Sequence, residues 1–167
     1  MTILKIVTVP DSILRKKCSP VTSFDKKLKT LLDDMYETML DAPGVGLAAP
    51  QVGVDLNVTV IDIEDGKNRF NLVNPEIIFR EGVQKSSEGC LSIPDFKETI
   101  DRAEKVVVKA FDEKGKEFII EGTGLLSACL QHEIDHLNGI LFTDYLSKFK
   151  IKYLKKWCIR NKIIEPI

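Results

Sequence analysis

The residues of this chain best suited to chemistry stand in Gln131-His132-Glu133-Ile134-Asp135-His136-Leu137-Asn138-Gly139. The spacing His-Glu-x-x-His predicts a helix on which His132 and His136 lie one turn apart on one face. Both imidazoles can then aim at one point, and Glu133 sits beside that direction. Two metal ligands plus a carboxylate that works on a metal-bound water is the chemistry this pattern serves. Histidines one turn apart also occur as ordinary core or surface residues. Here, however, they are the only two histidines in the chain, and both fall at ligand spacing around a glutamate.

Two histidines need at least one further ligand, and the sequence offers two nearby thiols. Cys129 lies three residues before His132 on the same helix face. Cys90 lies in Ser87-Glu88-Gly89-Cys90-Leu91-Ser92-Ile93-Pro94, a turn-flanked segment far away in sequence. A helix presents its side chains along a line, so a ligand from a facing segment closes a tetrahedron more naturally than a third from the same helix. Cys90 is therefore favoured, with Cys129 lining a pocket wall. Cys18 and Cys158 read as small apolar groups. One thiolate and two imidazoles leave a fourth position for water, as catalytic sites do. A coordinated thiol is deprotonated, so this set places one negative charge on the cation.

The elements that must position these groups can be read in outline. The apolar run Leu125, Leu126, Ala128, Leu130 predicts that the histidine helix is buried, with Thr123 as its cap and Asn138-Gly139 as its stop. Leu28, Leu31, Leu32, Met35, Tyr36, Met39 and Leu40 recur at helical spacing and predict an N-terminal helix over 23–40, stopped by Pro43-Gly44. Asp11 is placed to cap a single turn at Ser12-Ile13-Leu14. Residues 56–63 and 70–79 read as strands, with Pro75 implying an edge or a bulge. Strands over 105–111 and 117–120 flank the hairpin signal Asp112-Glu113-Lys114-Gly115-Lys116. Helix, several strands, helix argues for an α+β fold: mostly antiparallel sheets around a central helix carrying the histidines, with an N-terminal and a C-terminal helix.

Gly44-Val45-Gly46-Leu47-Ala48-Ala49 matches the loose dinucleotide pattern G-x-G-x-x-A, but a helix precedes it where a strand is required, and Pro50 would interrupt the helix that should follow. An extended, glycine-flanked segment fits better, with glycines that let a ligand or another segment approach the backbone. Gln51 offers both a donor and an acceptor there.

Composition bounds the rest. At 167 residues, 44% hydrophobic and 29% charged, the chain reads as one domain, residues 1–167, able to bury a core. A net charge of −1 gives no global attraction to DNA or membrane. The start lacks the apolar length of a signal peptide, and the four cysteines have no framework spacing, so thiols in a reducing cytoplasm are expected. Residues 147–162 carry seven Lys or Arg and no acid. Phe149, Tyr153 and Trp157 fall on one stripe, which predicts a basic C-terminal helix packed by its aromatic face. The sharper reading of that helix is a surface for a polyanion such as ribosomal RNA.

Three blocks, Gly44-Val45-Gly46-Leu47-Ala48-Ala49-Pro50-Gln51, Glu88-Gly89-Cys90-Leu91-Ser92 and Gln131-His132-Glu133-Ile134-Asp135-His136-Leu137, stand in an order and at distances that resemble the three signature motifs of peptide deformylase. The resemblance runs from about residue 3 to residue 146, and the intact middle block is similar to the bacterial type. It implies that Cys90, His132 and His136 take one Fe²⁺ per chain, with Zn²⁺, Ni²⁺ or Co²⁺ as substitutes. It implies Glu133 as general base and acid, and the Gln51 amide and Leu91 N–H as holders of the oxyanion. The implied substrate is the formyl group on the N-terminal methionine of nascent peptides, with formate released. Val45, Gly46, Gly89, Leu125, Ala128 and Cys129 would bind substrate, the peptide extended along Val45-Gly46 and the Met side chain in an apolar pocket. Relatives often carry a larger aliphatic residue at the position of Ala128 and an apolar one at Ser86, which implies a roomier or more polar rim here. Lys97 stands where some relatives place a substrate-contacting Arg. Arg102 is expected to pair with Glu88 or Asp135. The C-terminal helix of bacterial relatives implies a ribosome contact.

Two other readings compete. A zinc metallopeptidase shares His-Glu-x-x-His but more often draws its third ligand from a later His or Glu. After His136 this chain has no His, and its only acids are Asp144 and Glu165. A non-catalytic metal module would use four protein ligands, Cys129 among them.

Overall fold

The computed structural model describes residues 2–164 and 167. Helix α1 spans Lys26–Asp41 and is capped by the Asp25 carboxylate, which accepts from the Leu28 N–H. It therefore starts three residues later than the apolar spacing predicts: Asp25, not Ser23, captures a free N–H of the first turn. Short strand β1, Gly46–Ala48, follows. The extended reading of residues 44–53 holds only that far, because Ala49–Val52 form a 3₁₀ turn ending at Gly53 in the left-handed conformation. Pro50 is tolerated in that turn since an N–H is not needed at a helix start.

Strands β2 (Val58–Ile61), β3 (Phe70–Glu81), β6 (Lys105–Phe111) and β7 (Glu117–Thr123) join β1 in a five-stranded sheet ordered β1-β2-β3-β6-β7, every pair antiparallel. β3 is central, so Pro75 marks a bulge and not an edge: the register with β6 slips between Val73 and Glu76. A second sheet pairs β4 (Gln84–Cys90) with β5 (Ile93–Arg102). This hairpin carries little sequence signal, because β4 reads Gln-Lys-Ser-Ser-Glu-Gly-Cys and offers almost no apolar alternation.

Helix α2 spans Gly124–Leu137 and carries the two histidines. Thr123 precedes it in extended conformation, but its side chain makes no capping bond, contrary to expectation. Asn138 and left-handed Gly139 end it. Helix α3 spans Lys148–Arg160, within the tail predicted to be helical. Asp11 caps the Ser12–Arg15 turn through the Ile13 N–H.

Sequence alternation explains how the layers form. β2 is buried on both faces: Val58 and Val60 pack with Leu28, Leu32, Met35 and Met39 of α1, while Ile61 packs with Cys129, Leu130 and Ile134 of α2. The central helix is thus pressed onto one face of the large sheet. A third apolar cluster joins Phe96 and Ile100 of β5 to Phe142 and to Trp157 of α3. The aromatic stripe of α3 is only partly buried. Trp157 is enclosed, but Phe149 and Tyr153 are exposed, with the Lys152 ammonium 3.9 Å from the Phe149 ring centre. No helix among the described residues is long and apolar enough to cross a membrane. The fold is α+β with antiparallel sheets and three α-helices, as the sequence predicts.

Candidate metal centre

α2 points His132 and His136 toward the end of β4, where the chain places Cys90. The Cys90 sulfur lies 3.3 Å from His136 Nε2. One donor atom from each of Cys90, His132 and His136 falls within 4.8 Å of the other two, and Cys129 is not part of the group. Cys129 instead directs its thiol at the Val45 carbonyl, 3.7 Å away, and lines the adjoining cleft.

Behind these donors stands a buried charge network. Glu88, two residues before Cys90 and so on the same face of β4, bonds His132 Nδ1 at 2.9 Å. Arg102 of β5 donates to both Glu88 oxygens at 2.8 Å and to Asp135 at 2.7 Å. Tyr145 donates to the same Asp135 oxygen at 3.0 Å. Arg102 therefore pairs with both acids, where the sequence suggests one or the other. Burial alone would raise the Glu88 pKa; the Arg102 and His132 hydrogen bonds override it and bring it down to about 2. A carboxylate fixed on the far nitrogen of a metal-binding imidazole sets its tautomer and leaves Nε2 for a metal. Phe142 stacks on the His132 ring, with centroids 5.9 Å apart and planes 25° apart.

The electrostatics favour positive charge at this point. Burial opposes a charged His132, yet its Cys90 and Glu88 partners outweigh burial and push its pKa up. His136 is pushed down by burial and by the charge on His132, which keeps it neutral as ligation requires. Two imidazoles and a thiol converging on one point fit a first-row transition cation.

Glu133 is 4% exposed, and its Oε1 has no hydrogen-bond partner among the described residues. Burial, reinforced by Glu88 and Asp135 against His132 and Arg102, raises its pKa to about 7. Gly46 lies against this carboxylate: a Cβ there would stand 2.6 Å from Glu133 Oε2. Gln51 is buried. Its oxygen accepts from the Ala48 N–H at 3.0 Å, and its nitrogen donates to Ser92 Oγ at 3.2 Å and to the Cys90 sulfur at 3.5 Å.

A cleft of about 520 Å³ opens over this group. Val45, Gly46, Gly89, Leu125, Ala128 and Cys129 all line it, as do Gln51, Leu91, His132 and Glu133. His136 lies behind the surface, 1% exposed. Val45 and Leu125 leave apolar side chains open at the cleft, 44% and 61% exposed. Ser86 and Lys97 also line it, the latter packed over Gly89. Sequence reasoning missed Ser92, which anchors Gln51, and Phe142, which braces His132. The only signal for Ser92 was its place beside Cys90, and Phe142 had none.

Comparison with known proteins identifies the family. A family model described as polypeptide deformylase matches residues 3–152. The chain is 50% identical over 149 residues to peptide deformylase 1 of Bacillus subtilis (strain 168), covering 89% of this chain and 93% of that one. The crystal structure of a peptide deformylase from Legionella pneumophila superposes with a TM-score of 0.91 at 51% identity, covering 99% and 100% of the two chains. A peptide deformylase from Synechococcus elongatus, solved with actinonin, gives 0.91 at 34% identity, covering 100% and 94%. Metal dependence, hydrolysis of a formyl amide and action on newly made polypeptides follow from that kinship, and the chain belongs to the polypeptide deformylase family.

Proposed function

We propose that Cys90, His132 and His136 are the ligands of one divalent cation, Fe²⁺ in the cell with Zn²⁺, Ni²⁺ or Co²⁺ as substitutes, and that Glu133 moves the protons of deformylation. The observation that carries this reading is the buried Glu133 carboxylate, its Oε1 without a hydrogen-bond partner among the described residues, beside three converging donor atoms. When bound, the cation supplies Lewis acidity toward water and toward the formyl oxygen.

This chain's residues do the rest. The substrate lies extended beside Val45 and Gly46 at the edge of the five-stranded sheet, where backbone pairing holds it with little regard to sequence beyond Met. Leu125, Ala128 and Cys129 take the Met side chain, and Gly89 borders the peptide. Glu133 accepts a proton from the attacking water as the new C–O bond forms. Negative charge grows on the formyl oxygen, and the Gln51 amide and the Leu91 N–H donate to it. The carbon–nitrogen bond then breaks, Glu133 returns its proton to the departing nitrogen, and formate and a free N-terminal methionine leave.

We read residues 1–167 as one metallohydrolase domain with 147–162 as a basic helical appendage. The basic, aromatic outer face of α3 supports a contact with ribosomal RNA, which would place the enzyme at the nascent chain in the cytoplasm. The test of the catalytic reading is Glu133→Gln. Metal content should stay at one per chain while formate release from formyl-Met-Ala-Ser falls by about 10²–10⁴. Retained turnover, or cleavage of an internal peptide bond without formate, refutes it.

A further inference from the structure

One wall of the cleft is built from Pro94, Asp95, Phe96 and Lys97 at the start of β5. This wall turns on one residue. Asp95 adopts φ +64°, the left-handed conformation, which Asp takes more readily than most residues and which bends the chain there. The neighbours on both sides of Asp95 are gripped by one side chain of α3. The Trp157 indole N–H donates to the Pro94 carbonyl at 2.7 Å. Its ring meets Phe96 edge-on, with centroids 6.3 Å apart and an interplanar angle of 63°. Trp157 is 2% exposed. Phe96 in turn meets Phe142 at 6.0 Å, and Phe142 is the ring stacked on His132. Two helical turns earlier, on the same face, the Lys150 ammonium donates to the Thr99 carbonyl at 2.7 Å and lies 3.3 Å from Glu98. α3 thus clamps β5 at two points, yet none of its residues lines the cleft.

We propose that Trp157 is a positioning residue for peptide binding: it holds the Pro94–Phe96 wall in place, so that α3 belongs to the substrate site without touching substrate. The inference rests on the reading of the cleft as the peptide site. Without the indole N–H, the Pro94 carbonyl loses its tie to α3, and the wall is free to shift. A displaced wall weakens the hold on substrate and transition state alike, while Glu133 and the donor set stay where they are. Uniform loss of binding raises KM and leaves kcat unchanged.

The test uses the full metal-loaded chain and formyl-Met-Ala-Ser. Trp157→Phe keeps an aromatic ring against Phe96 and removes the donor. We expect KM to rise about fivefold or more with kcat within about twofold of wild type. Leu32→Ala, in the α1 core, serves as a variant that loses stability without touching α3, and its KM should not move. Trp157 is the only tryptophan in the chain, so its emission reports on this contact directly. Adding the product peptide Met-Ala-Ser to wild-type enzyme should change that emission saturably. An unmoved KM in Trp157→Phe, a loss confined to kcat, an equal KM rise in Leu32→Ala, or a flat emission overturns the inference. Formate release by wild type in the same assay keeps the two claims apart: turnover with an unmoved KM in Trp157→Phe sinks this inference alone, and no turnover sinks the cleft reading with it.

Discussion

At the scale of single residues, the proton transfer proposed for Glu133 depends on how little room surrounds it. Gly46 presses its bare α-carbon against that side chain, and an added Cβ would lie 2.6–2.8 Å from three of its atoms. Gly46→Ala should therefore displace the carboxylate. A displacement near 1 Å costs about 10²-fold in rate. Turnover should fall by that order, with metal content and far-ultraviolet dichroism unchanged; wild-type turnover would show that the carboxylate has room to spare. The sequence makes His132, His136 and Cys90 legible because such side chains are few and their spacing has a geometric meaning. Gly46 was legible only as a place where something comes close. What comes close arrives from a helix eighty-seven residues later, and no local pattern carries that information. Ser92 was illegible for the same reason, its partner Gln51 lying forty-one residues away, while Phe142 reaches back only ten residues to His132 but across a break in the helix that no periodicity spans.

At the scale of elements, the β4–β5 hairpin and α2 are joined by one buried knot, Arg102 with Glu88 and Asp135. The knot aligns Cys90 on β4 with the histidines on α2, since Glu88 and Asp135 each stand within two residues of a ligand. It also makes stability depend on pH with a definite sign. Glu88 ionises at about 2 in the folded chain against 4.5 ordinarily. Its contribution is complete above the ordinary value and is lost as pH falls through the folded one, and a depression of this size corresponds to about 3 kcal/mol. Glu88→Gln should destabilise the metal-free chain at neutral pH by about 3–5 kcal/mol, because it leaves Arg102 half-paired and buried. Urea unfolding should show the gap from wild type narrowing as pH drops from about 5 toward about 2; a gap independent of pH refutes the assignment. The hairpin itself was the least legible element. The alternation that betrays a strand comes from burying one face, and β4 turns serine, lysine and glycine toward the cleft and solvent. β2 and α1 were legible because their apolar residues recur at the strand and helix periods.

At the scale of the whole molecule, charge is unevenly placed. Seven of the 24 cations and none of the 25 acids lie in residues 147–162, so the remainder is net acidic. An acidic body with one basic arm orients the approach to a polyanion. Replacing Lys152 and Lys155 with Glu should weaken binding to ribosomes and reduce the slope of log affinity against log salt by about 1.4–1.8, since each lost phosphate contact removes about 0.7–0.9. Hydrolysis of a short free peptide should be unaffected. Sedimentation of enzyme with ribosomes across a salt series measures the first, and an unchanged slope refutes the contact. Phe149 and Tyr153 mark the limit of sequence reasoning here: their stripe looked ready for a core, yet only Trp157 found one, packed with Phe96, Ile100 and Phe142.

β1 closes one side of the large sheet with only three residues, one of them glycine. Unpaired margins of that kind invite other chains to stack on and precipitate, and long ones do so readily. Brevity resolves the conflict: under the docking proposed above, the margin greets the first few units of a single guest, and it is too narrow to seed a growing ribbon of its own kind.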